Sequence, residues 1–211
     1  MKIIEVEGLK FNVRDAFDEE TIKETEIFLD RYRAPKDARI VIDIGAHLGG
    51  TAIACASRGA KVYAFEPEGE NYELLLKNVS LNKMDDKIEC FKLAVGSHQK
   101  NTRLYKSKKN GGNHSIHQKV SEDFEWVNVI SLEQIFRENK ILHCDFLKID
   151  CEGSEFEIIT TPPKTFFDRI SQISIEMHPE FGTDNVAVVK FLEKIYRSDV
   201  YKHLYYYFYK R

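Results

Sequence analysis

The sequence predicts an α/β fold, a doubly wound and mostly parallel sheet of the seven-stranded type, and three observations predict it. Short apolar runs alternate along the chain with segments of helical periodicity, as a series of βαβ units requires. The stretch from Arg39 to Glu66, RIVIDIGAHLGGTAIACASRGAKVYAFE, reads as strand, glycine-containing turn, small-residue helix and second strand. Glu66 closes that second strand about 20 residues past the first glycine of the turn, the spacing at which an acid meets a ribose.

The elements follow in order. Residues 1–14 alternate apolar and polar around Gly8, a short hairpin. Asp18 caps a helix with acids in its first turn, running to about Tyr32 and ended by Pro35. Residues 1–38 are therefore expected to pack on the core as a separate front piece. Glu26 or Tyr32 could reach a bound cofactor from it, although packing is the favoured role. Residues 39–211 form the main domain. Pro67 starts a helix whose Tyr72, Leu75, Leu76 and Val79 make an apolar stripe, and Ile88 to Val95 is the third strand. Residues 98–130 are an inserted hairpin, with Asn110-Gly111 and Gly112-Asn113 as turn chemistry and Val127 and Val129 alternating with Trp126 and Asn128. Lys106, Lys108, Lys109, His114, His117 and Lys119 make this loop basic. Facing water is the favoured role, with a flap over an anionic substrate as the functional alternative.

Ser131 to Gln134 is a capping box for a helix that buries Leu132, Ile135 and Phe136. Phe146 to Asp150 is the fourth, central strand. Gly153 turns the chain, and a second capping box from Ser154 to Glu157 opens a helix that ends by Pro162-Pro163. Ile173 to His178 is the fifth strand, and Asp184 caps a last helix with Val188, Phe191, Leu192 and Ile195 on its buried side. The tail from Ser198 contains the run Tyr205 to Tyr209. A closing antiparallel pair of strands is a tight fit there, so a shortened edge, or one completed by a second copy of the chain, is expected.

The totals bound the function. At 211 residues the length prior is one domain. A formal net charge of −3 argues against a chain built globally for nucleic acid. No apolar run approaches a membrane span, and the start MKIIEVEGLK lacks the apolar core of a signal peptide. Cys55, Cys90, Cys144 and Cys151 show no zinc or disulfide spacing. Reduced thiols in a cytoplasmic protein are expected.

The turn after the first strand points to a cofactor. A dinucleotide fingerprint places a glycine where this chain has His47, and Asp43 sits two residues before Gly45. A carboxylate there repels a pyrophosphate and suits a ligand with a cationic amino-acid end, which describes S-adenosylmethionine. The candidate contacts are Asp43, Gly45, Ala46, His47, Gly49, Glu66 and Pro67, with Ala94 and Asp150 from later strand ends. The third strand ends Leu93-Ala94-Val95-Gly96-Ser97 without an acid, which leaves backbone amides or Ser97 for the adenine.

The segments VIDIGAHLGG, VYAFEPEGENYELLLKNVSLN, KLAVGS, FLKIDCEGSEFEII and ISIEMHPE resemble, in order, the motifs of the FkbM-type methyltransferase family over about residues 39–180. The resemblance implies the Rossmann-like class I methyltransferase fold and S-adenosylmethionine-dependent O-methylation of sugars, polyketides and related metabolites. An acceptor hydroxyl needs a base. Asp150, Glu176 and His178 are the catalytic candidates, and His178 has the most suitable unperturbed pKa for neutral pH. His114 and Glu152 are the candidate substrate contacts. Lys148, out of place in a central strand, is expected to pair structurally with Asp43, Asp150 or Glu176. The strand-end carboxylates are too scattered in sequence to argue for a metal. An RNA methyltransferase is the first rival, disfavoured because Asp150-Cys151-Glu152-Gly153 lacks the Asn-Pro-Pro type of grip on a planar amine. A non-catalytic cofactor-binding protein is the second, and a nicotinamide dehydrogenase, disfavoured by Asp43 and His47, is the third.

Overall fold

The computed structural model describes residues 1–23, 32–107, 114–181, 184–201 and 205–210. Glu26, Lys108, Lys109 and the Asn110 to Asn113 turn lie outside the described residues. Twelve strands are described: β1 (Lys2–Val6), β2 (Leu9–Val13), β3 (Ile40–Ile44), β4 (Lys61–Phe65), β5 (Ile88–Phe91), β6 (Ala94–Gly96), β7 (Lys100–Tyr105), β8 (Phe124–Ser131), β9 (Cys144–Ile149), β10 (Ile170–Glu176), β11 (Tyr196–Tyr201) and β12 (Tyr205–Lys210). Six α-helices accompany them: α1 (Ala16–Lys23), α2 (Gly50–Ser57), α3 (Gly69–Leu81), α4 (Leu132–Glu138), α5 (Glu155–Thr160) and α6 (Asn185–Leu192).

The main sheet runs β11-β12-β10-β9-β3-β4-β5, parallel except where β12 pairs antiparallel with β10 and β11. From β3 the chain moves outward through β4 to β5, then returns to the other side of β3 as β9. The β3/β9 junction is thus the topological switch point, where ligands bind beyond the carboxyl ends. Period-two alternation sorts the strand residues. Val41, Phe146 and Tyr207 join the core under α2, α3 and the front hairpin, while Ile42, Ile44, Leu147, Ile149 and Phe208 join the core under α4, α5 and α6. Each such fully buried aliphatic or aromatic side chain contributes about 1.5–3 kcal/mol. Helix α2 lies close to the sheet because its Ala52, Ala54 and Ala56 are small and buried.

Several local expectations shift. Glu7 and Gly8, with φ of 50° and 78°, make the tight turn of the front hairpin. Asp15 rather than Asp18 caps α1, accepting the Asp18 amide at 3.0 Å, and Asp18 is buried against Arg14 at 2.8 Å. The buried stripe of α3 is Asn71, Leu74, Leu75, Asn78 and Val79. Leu76 is exposed, because Asn78 turns inward to bond the Leu48 carbonyl at 3.0 Å. The expected third strand splits: β5 stays in the main sheet and β6 pairs with β8 in a small sheet ordered β6-β8-β7. Ser131 forms its capping box, whereas Ser154 makes no cap bond and its hydroxyl meets His117 Nε2 at 2.9 Å. Asp184 caps α6 through the Ala187 amide at 2.9 Å.

The tail completes the sheet. The tyrosine run is β12, an interior strand paired on both sides, and the sheet edge is β11. Tyr205, Tyr207 and Phe208 are buried, so the run is core and not an exposed contact strip. Two six-residue strands suffice for the closing pair.

Two glycines with similar backbone angles should respond oppositely to substitution. A Cβ on Gly45 (φ +77°) would stand 1.6 Å from the Asp150 carbonyl oxygen, whereas one on Gly8 (φ +78°) meets nothing within 4 Å. Gly45→Ala is expected to cost on the order of 3–5 kcal/mol, while Gly8→Asn stays within about 0.5 kcal/mol because asparagine tolerates that conformation. Urea unfolding of the two variants measures both.

Candidate active site

The carboxyl ends of β3, β4, β9 and β10 surround a cavity of about 490 Å³, a size typical of small-molecule and cofactor sites. Gly45, Ala46, His47, Glu66, Pro67, Ala94, Asp150, Glu152, Glu176 and His114 all line it. Asp43, Gly49 and His178, also expected there, do not. A Cβ on Gly49 would meet Leu75 Cδ1 at 2.7 Å, so that glycine serves helix packing. Asp43 is fully buried one layer below, directly across the β3/β9 register from Lys148.

Lys148 ties the floor together. Its ammonium donates to the Gly45 carbonyl at 2.8 Å and pairs with Asp43 at 3.1 Å and Asp150 at 3.5 Å. Burial opposes its charge, but these two acids hold its pKa above the ordinary lysine value. Asp43 is pushed up by burial in spite of Lys148. Burial also raises Asp150, yet Lys148, His178 and the Tyr32 hydroxyl outweigh it and hold this carboxyl below its ordinary value.

The turn after β3 spends its amides internally. Gly45 and Ala46 both donate to the Phe65 carbonyl at 3.0 Å, Gly49 donates to Ala46, and His47, at φ 50°, donates to Glu66 Oε2 at 2.9 Å. The amides of Gly45, Ala46 and His47 are therefore taken within the chain. Glu66 Oε1 accepts the Glu68 amide at 2.9 Å, and burial pushes Glu66 up to about 7 despite these two bonds. Each Glu66 oxygen retains acceptor capacity beyond its one N–H. Ser97, expected near the adenine, instead donates to Glu157 at 2.8 Å and is not on the wall, which Leu93, Ala94 and Val95 line.

A second network joins β9, β10 and the tail. Tyr32 Oη lies 2.9 Å from both Asp150 Oδ2 and Glu176 Oε2, and Tyr205 Oη lies 2.7 Å from Glu176 Oε1. Burial and the Asp150 charge raise Glu176, while Asp150 is held below its ordinary value.

His178 is enclosed by acids. Its Nδ1 stands 2.7 Å from Glu155 Oε1, and its Nε2 stands 3.8 Å from Asp150 Oδ1 and 3.5 Å from Glu152 Oε2. Burial lowers its pKa, but the Glu155 bond and the three carboxylates overcome this and raise it to about 10. The acids around His178 therefore favour its charged form at neutral pH over the free base that proton removal needs. Asp150, Glu176 and His178 present ligand atoms within 4.8 Å of one another.

On the insertion, Lys106 pairs with Glu68 at 2.6 Å and Lys119 with Glu122 at 2.6 Å, and His117 meets Glu157 at 3.3 Å. Lys106, Lys119 and His117 each face an acid of the chain itself. His114 reaches the cavity with Nδ1 accepting the Ser107 amide at 2.9 Å, and burial lowers its pKa.

A family model of the methyltransferase FkbM domain matches residues 43–202. The chain belongs to the FkbM methyltransferase family. Its solved structural relatives share the fold at low identity. A precorrin-6y C5,15-methyltransferase from Geobacter metallireducens GS-15 is 13% identical, with a TM-score of 0.54 over 95% of this chain and 94% of the other. The human methyltransferase 10 domain containing protein is 13% identical, with a TM-score of 0.53 over 95% and 86% of the respective chains. A comparison with curated proteins finds no match. The cofactor of this FkbM domain is S-adenosylmethionine, and the cavity fits it. Glu66 has lone pairs to spare for a diol, Phe65, Leu93 and Val95 offer an apolar wall, and acids around Asp150 suit cationic groups. Among the described residues no helix is long and apolar enough to cross a membrane, and all four cysteines are free.

Sequence reading misses Tyr205 at the site and favours packing for Tyr32, which lines the cavity. Both arrive from outside the β3–β10 motifs, and no local pattern marks them.

Two outcomes follow from the charges. Lys148→Met leaves Asp43 buried without its counter-ion, and a loss of about 3–5 kcal/mol is expected in urea unfolding. His178 holds its proton to about 10 when folded and releases it near 6.5 when unfolded. The folded state thus binds the extra proton between those values. Its stabilisation is complete below pH 6.5 and lost as pH rises to 10. A His178→Gln variant should show a flatter stability profile across that window, measured by thermal unfolding at a series of pH values.

Proposed function

We propose that the chain transfers the methyl group of S-adenosylmethionine to a hydroxyl of a sugar, glycan or small metabolite. The observation that supports this most directly is the set of acids at the strand ends, Asp150, Glu152 and Glu176, of which Glu152 keeps a buried oxygen with no hydrogen-bond partner. A hydroxyl must lose its proton as it takes a methyl group, and a carboxylate at the cavity wall answers that need. No proline-bracketed amide is present at the end of β9, where Asp150-Cys151-Glu152-Gly153 stands, to hold a planar amine.

When bound, S-adenosylmethionine supplies a methyl group already activated on a sulfonium. The chain's own residues then position and exclude. Glu66 is assigned to the ribose hydroxyls, since both its oxygens have acceptor capacity left. Pro67, Ala94 and the apolar wall are assigned to the purine. Gly45, Ala46 and His47 shape the turn beneath, and Asp150, ionised and held by Lys148, is assigned to the ammonium of the amino-acid end. Asp43 acts from below by fixing Lys148. His114 and Glu152 face the acceptor side, while Leu104 and Ile116 keep water from it. Proximity and alignment in such a site lower a barrier by about 7–11 kcal/mol. The free thiols suit a cytoplasmic setting.

Methyl-labelled S-adenosylmethionine incubated with hydroxylated sugars, lipid-linked glycans and total RNA tests the reading. Label is expected in a hydroxylated acceptor, and label confined to RNA overturns it. At about 100 times its Kd, S-adenosylhomocysteine should stabilise the fold by about 2.7 kcal/mol, a rise of about 5–10 °C in Tm. NADH should leave Tm unchanged.

A further inference from the structure

Glu152 stands apart from the other acids of the site in three respects. First, its backbone adopts φ +56°, a conformation that side-chain-bearing residues avoid, and Gly153 follows at φ +116°. Such strain persists where neighbours over-determine it, and it gathers at functional positions. Here the neighbours are visible. Ser115 Oγ donates to the Glu152 carbonyl at 2.8 Å, the Gly153 amide donates to Glu155 at 3.0 Å, and a Cβ on Gly153 would meet Phe181 Cβ at 2.8 Å. Second, its Oε2 is buried and accepts no hydrogen bond, although the residue lines the cavity. Third, the acids beside it are held in hydrogen bonds: Asp150 with Tyr32, Glu176 with Tyr32 and Tyr205, and Glu155 with His178 and the Gly153 amide.

We infer that Glu152 is the catalytic base that takes the acceptor's proton, and that His178 is a positioning residue that holds it in place. The inference rests on the hydroxyl reading above. In the step, the acceptor O–H bond breaks toward the Glu152 carboxylate as the acceptor oxygen bonds the methyl carbon. The sulfur–methyl bond breaks, S-adenosylhomocysteine leaves, and the protonated Glu152 returns its proton to solvent. His178 Nε2 lies 3.5 Å from Glu152 Oε2, near enough to steady the carboxylate but too far for a bond that would occupy it.

The groups facing Glu152 set its proton affinity. They are Asp150 at the end of β9, Glu155 from α5, Glu176 from β10, and His178 just beyond it. Burial raises Glu152 first, the His178 charge lowers it, and the three acids raise it again, leaving it at about 8. Ionised base therefore accumulates as pH climbs toward that value, and the rate should climb with it.

The test compares wild type with Glu152→Gln and Glu152→Asp. All three should bind S-adenosylhomocysteine by calorimetry within about threefold of one another, which shows that the variants fold and keep the cofactor pocket. With the acceptor from the screen, E152Q should lose about 10²–10⁴-fold in kcat together with the acid limb of the pH profile. E152D should keep a limb at reduced rate. Carbon-13 NMR should place a glutamate carboxyl titration near 8 in wild type and remove it in E152Q. E152Q turnover within threefold of wild type, or a Glu152 carboxyl titrating at its ordinary 4.5, overturns the assignment. A wild type that methylates no hydroxyl sinks the functional reading itself, and does so before any variant is made.

Discussion

The Lys148 ammonium is the contact on which the site depends. It lies at the switch point, where β3 and β9 diverge in chain order but stay neighbours in the sheet. A cation in the middle of a parallel sheet is unfavourable unless every charge around it is met. Asp43 meets it across the register, Asp150 from two residues further along its own strand, and the Gly45 carbonyl from the side. This arrangement sets the relative height of the two strand ends. Gly45 can then touch the Asp150 carbonyl with no room for a side chain between them. The cavity floor is a consequence of that height.

The same contact decides how charge is distributed above it. Asp43, Asp150, Glu152, Glu155 and Glu176 crowd around two cations, Lys148 and His178. Lys148 and His178 both lower Asp150, which stays an anion. The acids left over rise instead, Glu176 under the Asp150 charge and Glu152 under three neighbours, after burial has already raised both. His178 rises for the complementary reason. A site with surplus carboxylate has proton affinities near neutrality and an electrostatic preference for a cationic ligand, both from one imbalance.

The fold was legible because it is written in local patterns. The β3-turn-α2-β4 stretch, the Ser131 capping box and the apolar runs at β9 and β10 each obey a short-range rule, so their positions emerge from the residues alone. The pairing of Lys148 was legible for a similar reason, since a lysine flanked by core residues must find acids. Other features depend on distant partners. His178 resembles an ordinary histidine until Glu155 and the β9 acids close around it. Ser154 has the sequence of a cap, but His117 from the insertion takes its hydroxyl. Tyr32 and Tyr205 meet Glu176 from opposite ends of the chain, a juxtaposition that no window of sequence contains. Residue count alone makes a closing hairpin in the tail a tight fit, and the pairing of β12 on both sides, which buries its aromatic rings, is not visible from it.

The glycine turn shows how a shared scaffold selects one class of ligand. In a dinucleotide site the amides after the first strand are left open, and a phosphate satisfies them at the helix start. Here Phe65 accepts two of those amides and Glu66 a third, so Gly45, Ala46 and His47 have no N–H left to offer. Asp150 then presents a negative group at the same floor. A pyrophosphate would find fewer donors and a repelling carboxylate, whereas a sulfonium with an ammonium would find acids with lone pairs free. The discrimination is made by where the amides already bond, which the positions of the glycines alone do not reveal.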